Sequence, residues 1–317
     1  MAIIEQPISI EQQVDMMKKY VTFRQKKKIK DFLSYAGYFR ASRYGKYLLS
    51  LSAILGYMPS QKDLFELYKF DAELRRILMF YCNRAEIRMK SAISNACAIK
   101  AADGTFYLNA IYYTPSRGES DAKKRRGNIY FFNNYFFRDI KSKESKLRKD
   151  VLRYPELKEY RKGGSRHSNK LPIWVTFSYV ELGTVTLLYN YLRLDMRKAV
   201  LQYAFSNAKY SKQDTEIMDT WLDGFRTLRN YCAHNSMIVG MNAAVVRMDT
   251  RDDQRILIKD NDLFSRIYAL KKLIPDEDIP KLKKDIAKII SRTKFDVVKV
   301  GILPNDWEDR YDSIIHF

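Results

Sequence analysis

Apolar positions recur at three- and four-residue steps along most of this chain, the period of amphipathic helices. The clearest run covers residues 71–100. There Leu74, Ile77, Leu78, Tyr81, Ala85, Met89, Ala92, Ile93 and Ala96 mark one core face, and no Gly or Pro interrupts them. Asp71 reads as the N-cap of this helix, and Glu86 and Lys90 as an i,i+4 pair on a solvated face. Upstream, Ser9-Ile10-Glu11-Gln12 has the form of a capping box, predicting a short helix to about Tyr20. Residues 31–51 predict helix on both sides of Gly37, stopped by Gly56 and Pro59. Ala102-Asp103-Gly104 ends the long helix, and residues 161–170, with His167, form a basic loop.

The segment from Pro172 to Leu194, broken once by Gly183, is apolar on most sides and is expected to be the most buried helical region. A helix over 195–205 follows it. A further helix, capped by Asp214 or Thr215, carries Met218, Trp221, Leu222, Phe225, Leu228 and Cys232 as its core stripe. After Gly240 the period changes, and residues 243–248 and 255–258 flank Asp249-Thr250-Arg251-Asp252-Asp253 as a candidate hairpin. Residues 263–273 and 279–291 read as helices separated by Pro275 and Pro280. The pattern predicts an all-α fold in three parts: a basic helical region (1–60), a helical core (61–240) with a basic and aromatic insertion at about 104–170, and a C-terminal extension (241–317).

Composition supports this outline. Gly and Pro number only 12 and 8 in 317 residues, too few for a many-stranded sandwich or barrel. Hydrophobic content of 46% suits a globular chain with a sizeable core. Cys82, Cys97 and Cys232 all fall in predicted helices without metal-ligand spacing, so they read as reduced thiols of a cytoplasmic protein, and no metal or other cofactor is expected. No apolar run is long enough to span a membrane, and the first ten residues do not have the form of a signal peptide.

Charge changes the picture more. Lys and Arg outnumber Asp and Glu by 57 to 37, a net charge of +20, which points to a polyanionic partner. RNA, DNA and anionic lipid all remain open at this level. The excess is uneven: residues 117–170 hold half of it, residues 18–30 add seven cations and no acid, and residues 249–317 are balanced at 14 against 14. Lys26, Lys27, Lys28, Arg40, Arg43 and the cluster Lys123, Lys124, Arg125 and Arg126 are therefore candidate RNA-binding residues. Aromatics flank the last cluster: Phe106, Tyr107, Tyr112 and Tyr113 on one side, Tyr130, Phe131, Phe132, Tyr135 and Phe136 on the other. Such interleaving suits stacked bases, or equally a packed core beside a solvated loop.

The candidate chemistry lies in Leu228-Arg229-Asn230-Tyr231-Cys232-Ala233-His234-Asn235. His234 is one of three histidines, with His167 and His316, and is expected inside a helix. At 100° per residue from Phe225, Asn230 and His234 lie about 140–180° away from the core, while Arg229 lies only about 40° from its centre. An arginine there needs a partner. Histidine can move a proton between the RNA 2′-hydroxyl, the phosphate and the leaving oxygen. Arginine can stabilise charge that develops on the phosphate, and asparagine can orient either group. One histidine serves poorly as both base and acid, so a two-fold dimer joining two copies would complete such a site. The same spacing also arises by chance with no catalytic role.

These residues carry a resemblance. Leu228 to His234 looks like the Arg-x4-His signature of HEPN ribonucleases, and in detail resembles the Abi-like (AbiD/AbiF) abortive-infection family. Tyr35-Ala36-Gly37-Tyr38-Phe39-Arg40 with Arg43-Tyr44, Leu74 to Arg88 with its Glu86-x-Arg88 pair, and Leu171-Pro172-Ile173-Trp174-Val175 with Leu182-Gly183-Thr184 resemble further elements of that family in order, over roughly residues 10–240. Leu303-Pro304-Asn305-Asp306-Trp307 resembles its terminal Pro-x-x-Trp. The chain departs from the pattern at Asn235, where a second histidine is common, and at Val185, where a serine-like residue is common.

The resemblance implies a HEPN-type helical bundle, a homodimer, and RNA cleavage in anti-phage defence or growth arrest, restrained by a small non-coding RNA. It implies Arg229 and His234 as catalytic, Asn230 as their support, and Glu86 and Arg88 as braces of the site. The expected function is a metal-independent endoribonuclease acting as a toxin. The alternatives are a non-catalytic RNA-binding protein using the same basic surface, and a protein-interaction module.

Overall fold

Forty-one consecutive residues form one helix around which the others are arranged. In the computed structural model, which describes residues 6–114, 131–162, 169–205 and 209–316, that helix is α5, Gln61–Ala101. At 1.5 Å per residue it is about 60 Å long. It is preceded by α1 (Ile10–Met17), α2 (Lys26–Ala36), α3 (Tyr38–Ser50) and α4 (Ser52–Leu55). After it come α6 (Tyr135–Lys149), α7 (Lys158–Lys162), α8 (Ile173–Tyr179), α9 (Leu182–Tyr191), α10 (Leu194–Phe205) and α11 (Lys212–Ala233). The chain ends with α12 (Leu263–Leu273), α13 (Ile279–Arg292) and α14 (Trp307–Ser313). The described residues contain no strand, so the fold is all-α; two isolated bridges, Thr22 to Ser60 and Tyr113 to Leu192, pin loops together.

The predicted capping box at Ser9 is present. The start of α5 lies eleven residues before the expected one, with its N-cap at Ser60 rather than Asp71. Ser60 caps it, accepting from the Asp63 N–H while the Asp63 carboxylate accepts from the Ser60 N–H. An Asp in the third helical position does the work that Glu or Gln usually does in this motif. Asp71 is therefore no cap but an interior, fully buried residue. Helices α3, α8, α9, α10, α11, α12 and α13 all pack on α5.

Two further expectations are corrected. The 172–194 region is two short helices broken at Val180 and Glu181, with Gly183 inside α9 rather than at the break. It is not the most buried stretch, since Trp174 and Leu187 are about half exposed. That place belongs to α12, all eleven of whose residues are buried, Arg266, Lys271 and Lys272 included. Their apolar stems fill space, and each cationic head finds oxygen: Arg266 donates to the Ala244 carbonyl, Lys271 to the Tyr311 and Ile314 carbonyls, and Lys272 to the Ile315 carbonyl.

The candidate hairpin does not form either. Ala243 and Val246 donate instead to Asn261 and Asp260, and the turn between the two halves is drawn inward. Lys272, with a fully buried side chain, sits 2.8 Å from Asp252 and 3.3 Å from Asp249. An isolated two-stranded hairpin is marginal in water, and the buried Lys272 must keep carboxylate partners.

The aromatic insertion resolves mostly toward packing. Phe106, Tyr107, Tyr113, Phe131 and Phe136 are buried, and Tyr113 stacks on Phe131 with ring centroids 4.6 Å apart. Phe132 and Tyr135 are exposed. Tyr130, Lys123, Lys124, Arg125, Arg126 and His167 lie outside the described residues.

Breaking the Lys272 cluster on one side leaves two carboxylates buried without their cation. Lys272→Met should lower the unfolding free energy by about 3–5 kcal/mol, read by chemical denaturation. A loss below about 1 kcal/mol would show that the cluster hydrates readily.

Candidate functional site

Helix α11 presents the motif, and its own capping sets where it begins. Ser211 is the cap and Asp214 its partner three residues on, so neither Asp214 nor Thr215 is the cap itself. The core stripe is as the periodicity predicts: Met218, Trp221, Leu222, Phe225, Leu228 and Cys232 are all buried. Asn230 is half-buried and His234 exposed, on the side away from that stripe.

His234 is not inside the helix. Ala233 is the last helical residue, and His234 is the C-cap, its N–H donating to the Asn230 carbonyl at 2.9 Å. Asn235 then takes a left-handed conformation at φ 53°. Its N–H donates to the Cys232 carbonyl at 3.2 Å, and the Ser236 N–H donates to the Tyr231 carbonyl at 2.8 Å. This is a Schellman closure, which satisfies carbonyls that the helix end leaves open. Asparagine tolerates that backbone conformation where most side chains do not. Asn235 thus has a structural reason to stand at this position.

The chain beyond the closure is tied to α5. Asp71 Oδ1 accepts from the Ile238 and Val239 N–H groups, each at 2.9 Å. Its other oxygen accepts from the Tyr44 hydroxyl of α3. Arg75 pairs with Asp71 and donates to the Ser236 carbonyl at 3.5 Å. Apart from the i,i+4 pair of Asp71 with Arg75, nothing in local periodicity signals this network, because its other partners are 27 to 168 residues apart.

Arg229 finds the partner its position demands. Its Nε is 3.3 Å from Glu86 Oε2, close enough for an ion pair but not aligned as a hydrogen bond. Glu86 Oε1 is 2.9 Å from the Lys90 ammonium, which also donates to the Val180 carbonyl at 3.0 Å. With side chains only 14% and 18% exposed, Glu86 and Lys90 are not on a solvated face. Among the described residues, neither terminal nitrogen of Arg229 has a hydrogen-bond partner, and the side chain is 30% exposed. It opens onto a groove of about 1020 Å³ along α5, whose lining includes Glu86, Lys90, Trp174 and Arg229.

Arg88 is placed elsewhere. Two residues beyond Glu86, it faces away and donates to the carbonyls of Ala204, Leu273 and Ile274, with its guanidinium over the Phe205 ring. It therefore closes the C-terminal ends of α10 and α12, and burial pushes its pKa down. Lys26, Lys27, Lys28 and Arg43 are exposed and Arg40 half-exposed. The structure adds two residues that sequence reasoning missed: Tyr35 and Phe39, 80% and 78% exposed, belong to the same two helices, α2 and α3, as these cations. Large aromatics left in water beside arginines were the signal available.

The three cysteines are free and buried, and burial pushes their thiols well above the usual range. They are therefore poor nucleophiles. Among the described residues, no group of His, Cys, Asp and Glu is arranged to hold a metal, and no helix is long and apolar enough to cross a membrane.

Comparison with known proteins gives one match: the family model described as Abi-like protein covers residues 31–239. No curated protein and no solved structure matched the chain.

The Asp71 network makes a stability prediction. Asp71→Ala leaves Arg75 buried without its anion and two N–H groups unsatisfied, so it should cost about 3–5 kcal/mol in chemical denaturation. Native-state hydrogen exchange at Ile238 and Val239 should accelerate in parallel. Unchanged protection at both amides would rule out the anchoring role.

Proposed function

Because the chain belongs to the Abi-like protein family, whose name associates it with abortive infection, we propose that it is a metal-independent endoribonuclease of the HEPN type. One observation carries this reading. Arg229 is held from α5 by Glu86 with its terminal nitrogens unpartnered, while Asn230 and the C-cap His234 lie within the next turn and a half on the outer side.

In this reaction the RNA 2′-oxygen attacks the adjacent phosphorus, the bond to the 5′-oxygen breaks, and a cyclic phosphate and a 5′-hydroxyl result. A base removes the 2′-hydroxyl proton and an acid protonates the leaving oxygen. His234 serves one role and its copy in a second protomer the other. Arg229 presents its planar fork to the phosphate oxygens, with Glu86 fixing the orientation of that fork. Asn230 orients the phosphate or the imidazole. The homodimer this requires brings the exposed ends of two α11 helices together.

Outside that centre, the exposed Lys26, Lys27, Lys28 and Arg43 bind the RNA backbone, and Tyr35 and Phe39 offer faces for its bases. Three lysines in the first turn of α2, whose cap residue Gln25 makes no side-chain bond, oppose the helix dipole. Helix stability does not account for them, whereas a polyanion does. In the cell the activity acts as a toxin against phage-infected cells and is restrained by a small non-coding RNA.

Wild-type protein should cleave RNA in EDTA, and Arg229→Ala and His234→Ala should each lose about a hundredfold or more while retaining the wild-type fold by circular dichroism. Equal cleavage by all three would overturn the enzyme reading; RNA binding by all three without cleavage would favour the non-catalytic one. Replacing Lys26, Lys27 and Lys28 together by Ala should lower the salt slope of single-stranded RNA binding by about 2. An unchanged slope would remove these lysines from the interface.

A further inference from the structure

Trp174 differs from the other two tryptophans of the chain. Trp221 and Trp307 are 1% and 4% exposed, whereas Trp174 is 48% exposed. It is nonetheless fixed in place. Its ring lies against Gly104, where even a Cβ would come within 2.6 Å of it, and the neighbouring Ile173 N–H donates to the Gly104 carbonyl at 2.8 Å. A solvent-facing indole held by its back edge is prearranged to receive something flat.

Its surroundings suit a nucleobase. The groove runs from Asn83 to Asn95 on α5, about 18 Å at 1.5 Å per residue. Arg229 and Glu86 sit toward its Asn83 end. Trp174, resting on Gly104 just past the end of α5, sits toward the other. There Asn95 donates its amide to Ser91 Oγ and to the Tyr203 hydroxyl, each at 3.2 Å, which fixes the amide and leaves its carbonyl oxygen as an acceptor. At the Arg229 end, the Asn83 amide has no hydrogen-bond partner among the described residues. Cations of the lining, Lys90 and Arg229, exceed its one anion, Glu86. An aromatic face, a fixed amide at the wall and a phosphate-competent arginine at one end are the parts of a single-strand site.

We propose that this groove is a base-binding subsite for single-stranded RNA. Trp174 stacks a base that flanks the cleaved position, and Asn95 accepts from an exocyclic amino group on that base. The proposal rests on the reading of Arg229 as the phosphate contact. It gives the enzyme a preference for unpaired RNA and for bases bearing an amino group.

The test is equilibrium binding by the full chain of a short fluorescent single strand made with 2′-O-methyl sugars, which cannot be cleaved, against the same backbone with abasic residues. Wild type should bind the base-bearing strand about five- to a hundredfold more tightly. Trp174→Phe should keep most of that ratio, and Trp174→Ala should bring it close to one while retaining the wild-type fold by circular dichroism. A ratio near one in wild type would overturn the subsite. So would a ratio that survives Trp174→Ala, or a Trp174→Ala variant that turns a dimer into monomers while still discriminating, since the ring would then be a subunit contact. The two readings separate cleanly. A protein that discriminates bases but cleaves no RNA loses the nuclease and keeps the subsite, and one that cleaves without discriminating does the reverse.

Discussion

A carboxylate removed from water must find its compensation within the protein, and Asp71 is the one on which this architecture depends. Its oxygens collect a phenol from α3, a guanidinium from its own helix and two backbone N–H groups from the segment after α11. Further along α5, Glu86 meets Arg229. The pairing order, Glu86 with Arg229 and Arg75 with Ser236, makes α5 and α11 antiparallel. The two helices are thus fastened by charge at two points flanking the motif and by apolar packing between them. A rigid bar fixed at two points holds Arg229 and the C-cap in a set relation, which any chemistry at the motif requires.

The net charge of +20 is not one undivided resource. Arg75, Arg266, Lys271 and Lys272 are buried and each is paired with a carboxylate or a carbonyl inside the protein. They hold loops and the tail in place and are inaccessible to a polyanion. Among the described residues, α2 and α3 carry part of the exposed excess, with cations that meet water and have few acids beside them. The balance of charge over residues 249–317 now has a physical meaning, because several of its acids and bases neutralise one another inside the protein.

Period and punctuation made most helices legible: the α12 bounds, the α13 start, the elbow at Gly37 and the core stripe of α11 all follow from residue spacing and breakers. The misses share a cause. Asp71, the Glu86–Lys90 pair and the 243–258 segment invite a local convention, in which charge means a cap, a solvated face or a turn. Each is governed instead by a partner far away in sequence, and burial with pairing reverses the local preference. At the candidate site, the need of Arg229 for a partner could be read from the helical wheel, whereas Glu86 as a brace came only from the resemblance, since its spacing to Lys90 reads as a solvated face. That Arg88 faces away follows from its spacing, since two residues on a helix turn the side chain through about 200°. The end of α11 at Ala233 was harder to see, because Asn235 signals closure only once its backbone angle is known.

That closure has a consequence for how such a site can vary. Position 235 must adopt a left-handed backbone, which excludes β-branched and most bulky residues before any chemistry is considered. Glycine, asparagine, aspartate and histidine are the residues that enter this conformation most readily. The asparagine found here and a histidine in its place are therefore alternatives drawn from one short menu set by the helix end. A proton-transfer group can be gained or lost at that position without disturbing the fold, so the backbone, by keeping the menu short, keeps a second histidine within reach of a single substitution.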